Sequence, residues 1–179
     1  MYYIILDASV IVDLCRGEEG DKTGRIHALI YRVAEKFTRE DRIVVKTVFT
    51  SEKKESSRRL WRIFVEKFAA EFRYLLDYFY VTVEKEPQKY EDIRREVGRT
   101  NLLTEARRLL GLKPRAKDER AAVREEVDSD THLLVSAIYL ALRGRYAEIL
   151  TADREACDRI SGALERLGDL ARRIGLTCR

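Results

Sequence analysis

Three aspartates stand where a chain of this kind can do chemistry. Asp7 follows the apolar run Tyr2 to Leu6, Asp153 follows the short run Glu148 to Leu150, and Asp130 opens a strongly apolar helical stretch just ahead of that run. Several carboxylates brought to one edge of a sheet repel one another, which raises their pKa values and destabilises the fold unless cations compensate. A hard divalent ion supplies that compensation. Magnesium takes oxygen ligands and keeps waters for substrate phosphates, so an aspartate-rich set without neighbouring His or Cys points to Mg²⁺ or Mn²⁺ rather than zinc. Such ions can deprotonate a water and stabilise the oxygens of an in-line phosphodiester displacement. Each aspartate taken singly has a plainer reading, since an Asp at a helix start is commonly an N-cap.

Other residues fall into supporting positions. Ser9 and Thr151 are placed to hold a neighbouring carboxylate or a metal ligand water, and turn capping accounts for each nearly as well. The run Asp128-Ser129-Asp130 offers two acids at one helix start, so Asp128 is a further ligand, a supporting group or a cap. Arg154 adjoins Asp153, and Lys53, Lys54, Arg58, Arg59 and Arg62 crowd a second helix, which makes these six the candidate phosphate contacts. A solvated helix face is the bland alternative for each of them. His27 and His132 lack paired spacing; His132 reads as a partly exposed helix residue rather than a catalytic base.

The elements that must position these groups alternate. Tyr2 to Leu6, Arg42 to Lys46, Phe79 to Val83 and Glu148 to Leu150 read as strands, with a small one at Leu176 to Cys178. Between them lie helical patterns: from Ala8, over Arg25 to Thr38, after a cap at Thr50 or Ser51, over Asp130 to Leu142, and after Asp153. The segment Glu84 to Asp128 is densely charged with mixed signs and reads as two solvated helices broken near Gly111 and Pro114. Strands separated by helices predict an α/β protein with a parallel sheet of four to five strands covered on both faces. In such sheets ligands bind beyond the carboxyl ends of the strands, where Asp7 and Asp153 lie.

A chain of 179 residues is the size of one domain, expected to span 1–179, which the charged segment 84–128 enlarges. No run approaches the roughly 18 apolar residues of a membrane span, and the opening MYYIILD reads as a strand rather than a signal peptide, so a soluble cytoplasmic protein is expected. Cys15, Cys157 and Cys178 are odd in number and lack CxxC spacing, and reduced thiols are the default. Charged residues reach 37% while Asn, Gln and Met occur once each, a thermophile-like composition in which an intracellular disulfide also occurs. The net charge of +4 favours a nucleic-acid partner only slightly, although 25 of the 35 basic residues are arginine, suited to phosphate.

The sequence IILDASVIVDL resembles the opening of PIN domains, DSDTHLLVSAIYL their Asp-led helix, and ILTADRE their late strand ending in Thr-x-Asp-Arg. The order and spacing agree across nearly the whole chain. The resemblance implies a three-layer α/β/α fold with strand order 3-2-1-4-5 and a ribonuclease using Mg²⁺ or Mn²⁺ to leave a 5′-phosphate and a 3′-hydroxyl on RNA. Many such proteins are toxins paired with an antitoxin, and homodimers are common among them. The resemblance also selects Asp130 over Asp128, by its seven-residue spacing to Ala137, and asks for a glutamate early in the helix after the second strand. Glu52, five residues after Thr47, fits that distance, with Glu55 one turn on as the alternative. The implied catalytic and metal-binding set is Asp7, Glu52, Asp130 and Asp153. A non-catalytic PIN-like scaffold that binds RNA or protein is the alternative reading. Haloacid dehalogenase-like phosphatases also begin strand-Asp, but they expect a second Asp where this chain has Ser9, and no dinucleotide or nucleotide-phosphate glycine loop occurs.

Overall fold

A computed structural model describes residues 1–16, 42–47, 59–66, 81–84, 102–112 and 129–178. Among them are strands β1 (Tyr2–Leu6), β2 (Ile43–Thr47), β3 (Val81–Val83), β4 (Tyr146–Thr151) and β5 (Ile174–Cys178). Helices α1 (Ala8–Arg16), α2 (Leu102–Leu109), α3 (Ser129–Leu142) and α4 (Arg154–Glu165) accompany them, and Gly168–Arg173 forms a 3₁₀ turn. Residues 59–66 are also helical. The protein is mixed α/β, as its alternating pattern predicts. The expected helix over 25–38 and the charged segment apart from residues 84 and 102–112 lie outside the described residues.

The sheet runs β3-β2-β1-β4-β5 with every pair parallel. Its central strand is β1, whose YYIIL sequence suits a position flanked on both sides, where runs of apolar residues replace the alternation of half-exposed strands. β2 is buried throughout, including Lys46 and Thr47. Thr47 donates to the Leu6 carbonyl (2.8 Å), and the Lys46 ammonium lies 3.7 Å from Glu84 and 5.7 Å from the Tyr3 ring centroid. Burying the lysine head therefore costs less than an isolated charge would, because a carboxylate and a ring face replace part of its hydration.

Alternate residues of the strands serve two faces. On one face Ile5, Ala147, Ile149 and Ile174 join a core with Leu133, Leu134, Ala137, Ile138 and Ala141 of α3, Ile160 and Ala163 of α4, and Ala106 and Leu109 of α2. α3 is buried from Asp130 to Ala141, so its apolar residues encircle it instead of forming a stripe. Two helices stop in the same way. Gly144 (φ 72°) closes α3, with Arg145 N–H on the Leu140 carbonyl, and Gly111 (φ 71°) closes α2, with Leu112 N–H on the Arg107 carbonyl. That left-handed C′ residue is tolerated by glycine and strained in others.

The opposite face carries a buried carboxylate. Glu148 in β4 accepts from the Tyr2 hydroxyl (2.8 Å) and from the Thr177 hydroxyl (2.7 Å), which joins β1, β4 and β5 side to side. Burial, reinforced by the neighbouring Glu148 charge, pushes the Tyr2 phenol above its ordinary pKa, so it remains a donor at neutral pH. Gly175 makes room: a Cβ there would sit 2.0 Å from Glu148 Oε2. Because that carboxylate is held at both oxygens, it cannot swing away without breaking one of its bonds.

Cys157 and Cys178 form a disulfide (Cα–Cα 5.8 Å), against the default expectation of reduced thiols. Chain spacing hides the pairing. β4–β5 register sets Cys178 beside Thr151, and the first turn of α4 carries Cys157 back over that strand end.

Two stability outcomes follow. With 21 residues of sequence separation between the cysteines, loop-closure entropy assigns the cross-link about 3 kcal/mol. Reduction by dithiothreitol, or Cys157→Ser, should lower Tm by on the order of 10 °C in a thermal melt; an unchanged melt under reductant would show that the bond contributes nothing. Gly175→Ala should cost roughly 1–3 kcal/mol through overpacking, and the penalty should shrink when Glu148→Ala is added, as read by a double-mutant cycle in urea.

Candidate functional site

β1 and β4 are neighbours in register, Leu6 opposite Leu150, so the residues that follow them meet at one end of the sheet. Asp7 N–H continues the ladder onto the Leu150 carbonyl (2.9 Å), which fixes the backbone from which the carboxylate projects. The Asp7 carbonyl then accepts from Val10 and Ile11 as α1 begins. Asp7 is thus held by a strand on one side and a helix start on the other, and it is buried at 5% exposure.

Two hydroxyls converge on one of its oxygens. Ser9 donates to Asp7 Oδ2 at 2.5 Å and Thr151 donates to the same atom at 2.9 Å, the two hydroxyl oxygens standing 3.5 Å apart. Among the described residues no donor reaches Asp7 Oδ1. The hydroxyls are themselves positioned, since Ala152 N–H donates to Ser9 Oγ (3.1 Å) and Asp153 N–H to Thr151 Oγ1 (3.1 Å). The chain Ala152-Ser9-Asp7-Thr151-Asp153 couples the β1 and β4 ends through five residues.

Asp153 is exposed and caps α4: its Oδ1 accepts from Glu155 N–H (2.8 Å) and Ala156 N–H (3.2 Å). Capping and a role in the site are not exclusive. The cap occupies one oxygen and, among the described residues, leaves Oδ2 without a donor. Asp130 lies in the first turn of α3, buried, with Arg159 donating to its Oδ2 at 3.2 Å. Arg159 also pairs with Glu155 one turn earlier on α4. Sequence reading missed Arg159. The Glu155/Arg159 spacing was visible as a helical pair, but the contact with Asp130, 29 residues away, depends on how α3 and α4 pack.

His132 departs from its expected partial exposure and is buried at 4%, one of a run of α3 residues enclosed by the fold. Of the candidate phosphate contacts, Arg59, Arg62 and Arg154 are exposed. The segment bearing Arg59 and Arg62 is anchored by buried Trp61 and Phe64, and Trp61 Nε1 donates to the Glu84 carbonyl (2.9 Å) just past the carboxyl end of β3. Glu52, Glu55, Asp128, Lys53, Lys54 and Arg58 lie outside the described residues.

The comparisons with known protein families, curated proteins and solved structures found no match to this chain. What the site can do is therefore read from its own groups.

Among the described residues no group of three or more His, Cys, Asp or Glu side chains is arranged to hold a metal ion. A magnesium site does not require one, because this ion is bound by one or two carboxylates together with waters and substrate phosphates. Asp7 and Asp153 fit that donor chemistry. Each fixes its carboxylate through one oxygen and, among the described residues, has no donor on the other. They are hard oxygen donors at adjacent strand ends.

The hydroxyl on Asp7 that matters most to stability is Thr151, fully buried where Ser9 is only half-buried. Thr151→Val should cost about 1–3 kcal/mol, since it removes a bond to a buried carboxylate and deprives the Asp153 amide of its acceptor. Ser9→Ala should cost less, because water can replace its hydroxyl. Equal losses in chemical denaturation would contradict the ranking.

Proposed function

We propose that this chain is a metal-dependent ribonuclease of the PIN-domain type, hydrolysing phosphodiester bonds with Mg²⁺ or Mn²⁺ held by acidic residues. The observation that carries the reading is the Asp7 carboxylate, buried at the carboxyl end of the central strand and clamped on one oxygen by Ser9 and Thr151. A buried carboxylate so fixed has lost the freedom to relax, which is what a positioned ligand needs. The strand order and the parallel pairing support a three-layer sheet of the kind the PIN resemblance implies.

In this reading Asp7 and Asp153 hold the metal, with Asp130 and Glu52 completing the acidic set. The metal supplies activation of water and neutralisation of charge developing on the phosphate. The chain's own residues do the positioning. Thr151 and Ser9 orient Asp7, the α4 amides orient Asp153, and Arg159 orients Asp130 while balancing part of its charge. Exposed Arg154, beside Asp153, is placed to take a substrate phosphate in bidentate fashion.

Ser9 also separates this reading from a phosphatase with an aspartate nucleophile. In that chemistry a second acid stands two residues after the first; here the position holds a hydroxyl already donating to Asp7. A non-catalytic scaffold is the second reading, favoured by the structural work that Asp153 performs as a cap and Asp130 as an ion-pair partner.

Purified protein incubated with single-stranded RNA should cut it in Mg²⁺ or Mn²⁺ and stop in EDTA. Asp7→Asn and Asp153→Asn should each lower the rate by two orders of magnitude or more, as expected for loss of groups that hold charge in the transition state. Cleavage that survives chelation or both substitutions sinks the metal-nuclease reading. Binding without cleavage under either metal supports the scaffold.

A further inference from the structure

The other end of the sheet has its own pattern. β2, β1, β4 and β5 begin at Ile43, Tyr2, Tyr146 and Ile174, and the pairing sets Tyr2 opposite both Ile43 and Tyr146, and Ala147 opposite Ile174. The residues immediately before these starts are Arg42, Met1, Arg145 and Arg173. Among the described residues, three of the four positions that immediately precede a strand at this end of the sheet are arginine. With strands spaced about 4.8 Å apart, the row extends roughly 14 Å.

Local contacts hold the row in place. Tyr2 N–H donates to the Arg42 carbonyl (2.8 Å), and Arg145 N–H closes the α3 terminus. Arg173 donates to the Gly144 carbonyl (2.9 Å) and lays its guanidinium 5.3 Å from the Tyr146 ring centroid. The Tyr146 ring is 45% exposed and stacks on Tyr2 at 6.4 Å. Arg143, one turn residue away, lies 4.9 Å from the Tyr139 ring.

A thermophile-like surface is rich in arginine, so the row needs a distinguishing mark. It lies in the alignment of three arginine positions at one end of neighbouring strands, beside the exposed Tyr146. Elsewhere Arg108 and Arg159 pair with acids three or four residues away on their own helices. Arg42, Arg145 and Arg173 have no carboxylate partner among the described residues, as is also true of Arg59, Arg62 and Arg154; Asp169 near the row pairs with Arg172, and Asp41, which precedes Arg42, lies outside the described residues. Positive charges aligned in this way suit a polyanion, whose phosphates would offset their mutual repulsion. Among the described residues the exposed large hydrophobics, Met1 at 40%, Leu142 at 57% and Tyr146 at 45%, all flank this edge. They are too few for a protein-binding apolar patch, but Tyr146 with its stacked guanidinium forms a surface on which a base can lie.

We infer that this edge is a second RNA-binding surface, in which Arg42, Arg145 and Arg173 contact phosphates of a single strand and the Tyr146–Arg173 pair stacks a base. It deepens the ribonuclease reading, on which the choice of RNA as ligand rests. β4 separates the edge from Asp7 and Asp153 by about 17 Å at the usual rise per residue, so the surface would hold a distal part of the substrate and favour RNA long enough to bridge both ends.

The test is fluorescence-anisotropy titration of a labelled single-stranded RNA, long enough to bridge both ends, in EDTA at several salt concentrations. The subjects are the wild-type full chain and the exposed pair variant Arg42→Ala/Arg145→Ala. Loss of two phosphate contacts should weaken binding by on the order of tenfold near 0.1 M salt and flatten the log–log salt slope by about 1.4. Arg42→Lys/Arg145→Lys should restore most of the slope, and unchanged melting curves exclude misfolding as the cause. In Mg²⁺, the alanine pair should slow cleavage of the long RNA through KM and leave cleavage of a trinucleotide unaltered. Equal affinity and equal salt slope for wild type and the alanine pair overturn the inference, including the case in which the edge serves an acidic protein instead. Absence of cleavage by wild type would instead count against the nuclease reading, while the EDTA binding data still decide the edge.

Discussion

The parallel, in-register pairing of β1 with β4 is the constraint on which the rest of the molecule depends. Leu6 opposite Leu150 makes Asp7 and Thr151 neighbours although 144 residues separate them, and only then can a threonine hydroxyl reach a carboxylate oxygen. A slip of one residue in a parallel pair would turn every β4 side chain to the other face. It would carry Ile149 out of the core and Glu148 into it. The register is therefore protected by two interactions of opposite character, the apolar packing of Ile5 and Ile149 against α3 and the polar grip of Tyr2 and Thr177 on Glu148.

Glu148 shows why a buried acid need not be part of the chemistry. It lies mid-strand, satisfied at both oxygens by neutral donors from the two flanking strands. Asp7 lies one residue beyond its strand and takes both of its hydroxyl donors on a single oxygen. The first arrangement closes a carboxylate off; the second orients one. No membrane-crossing helix competes with this picture, as none among the described residues is long and apolar enough.

How far the sequence foretold this differs by interaction range. β1 was legible to the residue because four strong β-formers and a leucine stand together before an aspartate. β4 runs two residues earlier than its apolar core suggests, since Tyr146 and Ala147 are drawn in by pairing with Tyr2 and Tyr3. β5 likewise starts at Ile174 because Gly175, a poor strand former read alone, is the residue that fits beneath Glu148. The strand-end placement of Asp7 and Asp153 could be read from local pattern. The Arg159–Asp130 contact and the Cys157–Cys178 bond could not, because each requires knowing which helix lies against which neighbour.

The disulfide gives the two halves of this architecture a common anchor. It ties the first turn of α4 to the last residue of β5, and that same helical turn is capped by Asp153 and includes Glu155, which orients Arg159 toward Asp130. Any fraying of α4 at its start would loosen the Asp153 cap and the Arg159 bridge together. A covalent bond is a stiffer restraint there than the cap alone, whose contribution is typically about 1 kcal/mol. Stability and site geometry are thus coupled at one turn, where the cross-link restrains the same backbone that the Asp153 cap and the Arg159 bridge depend on.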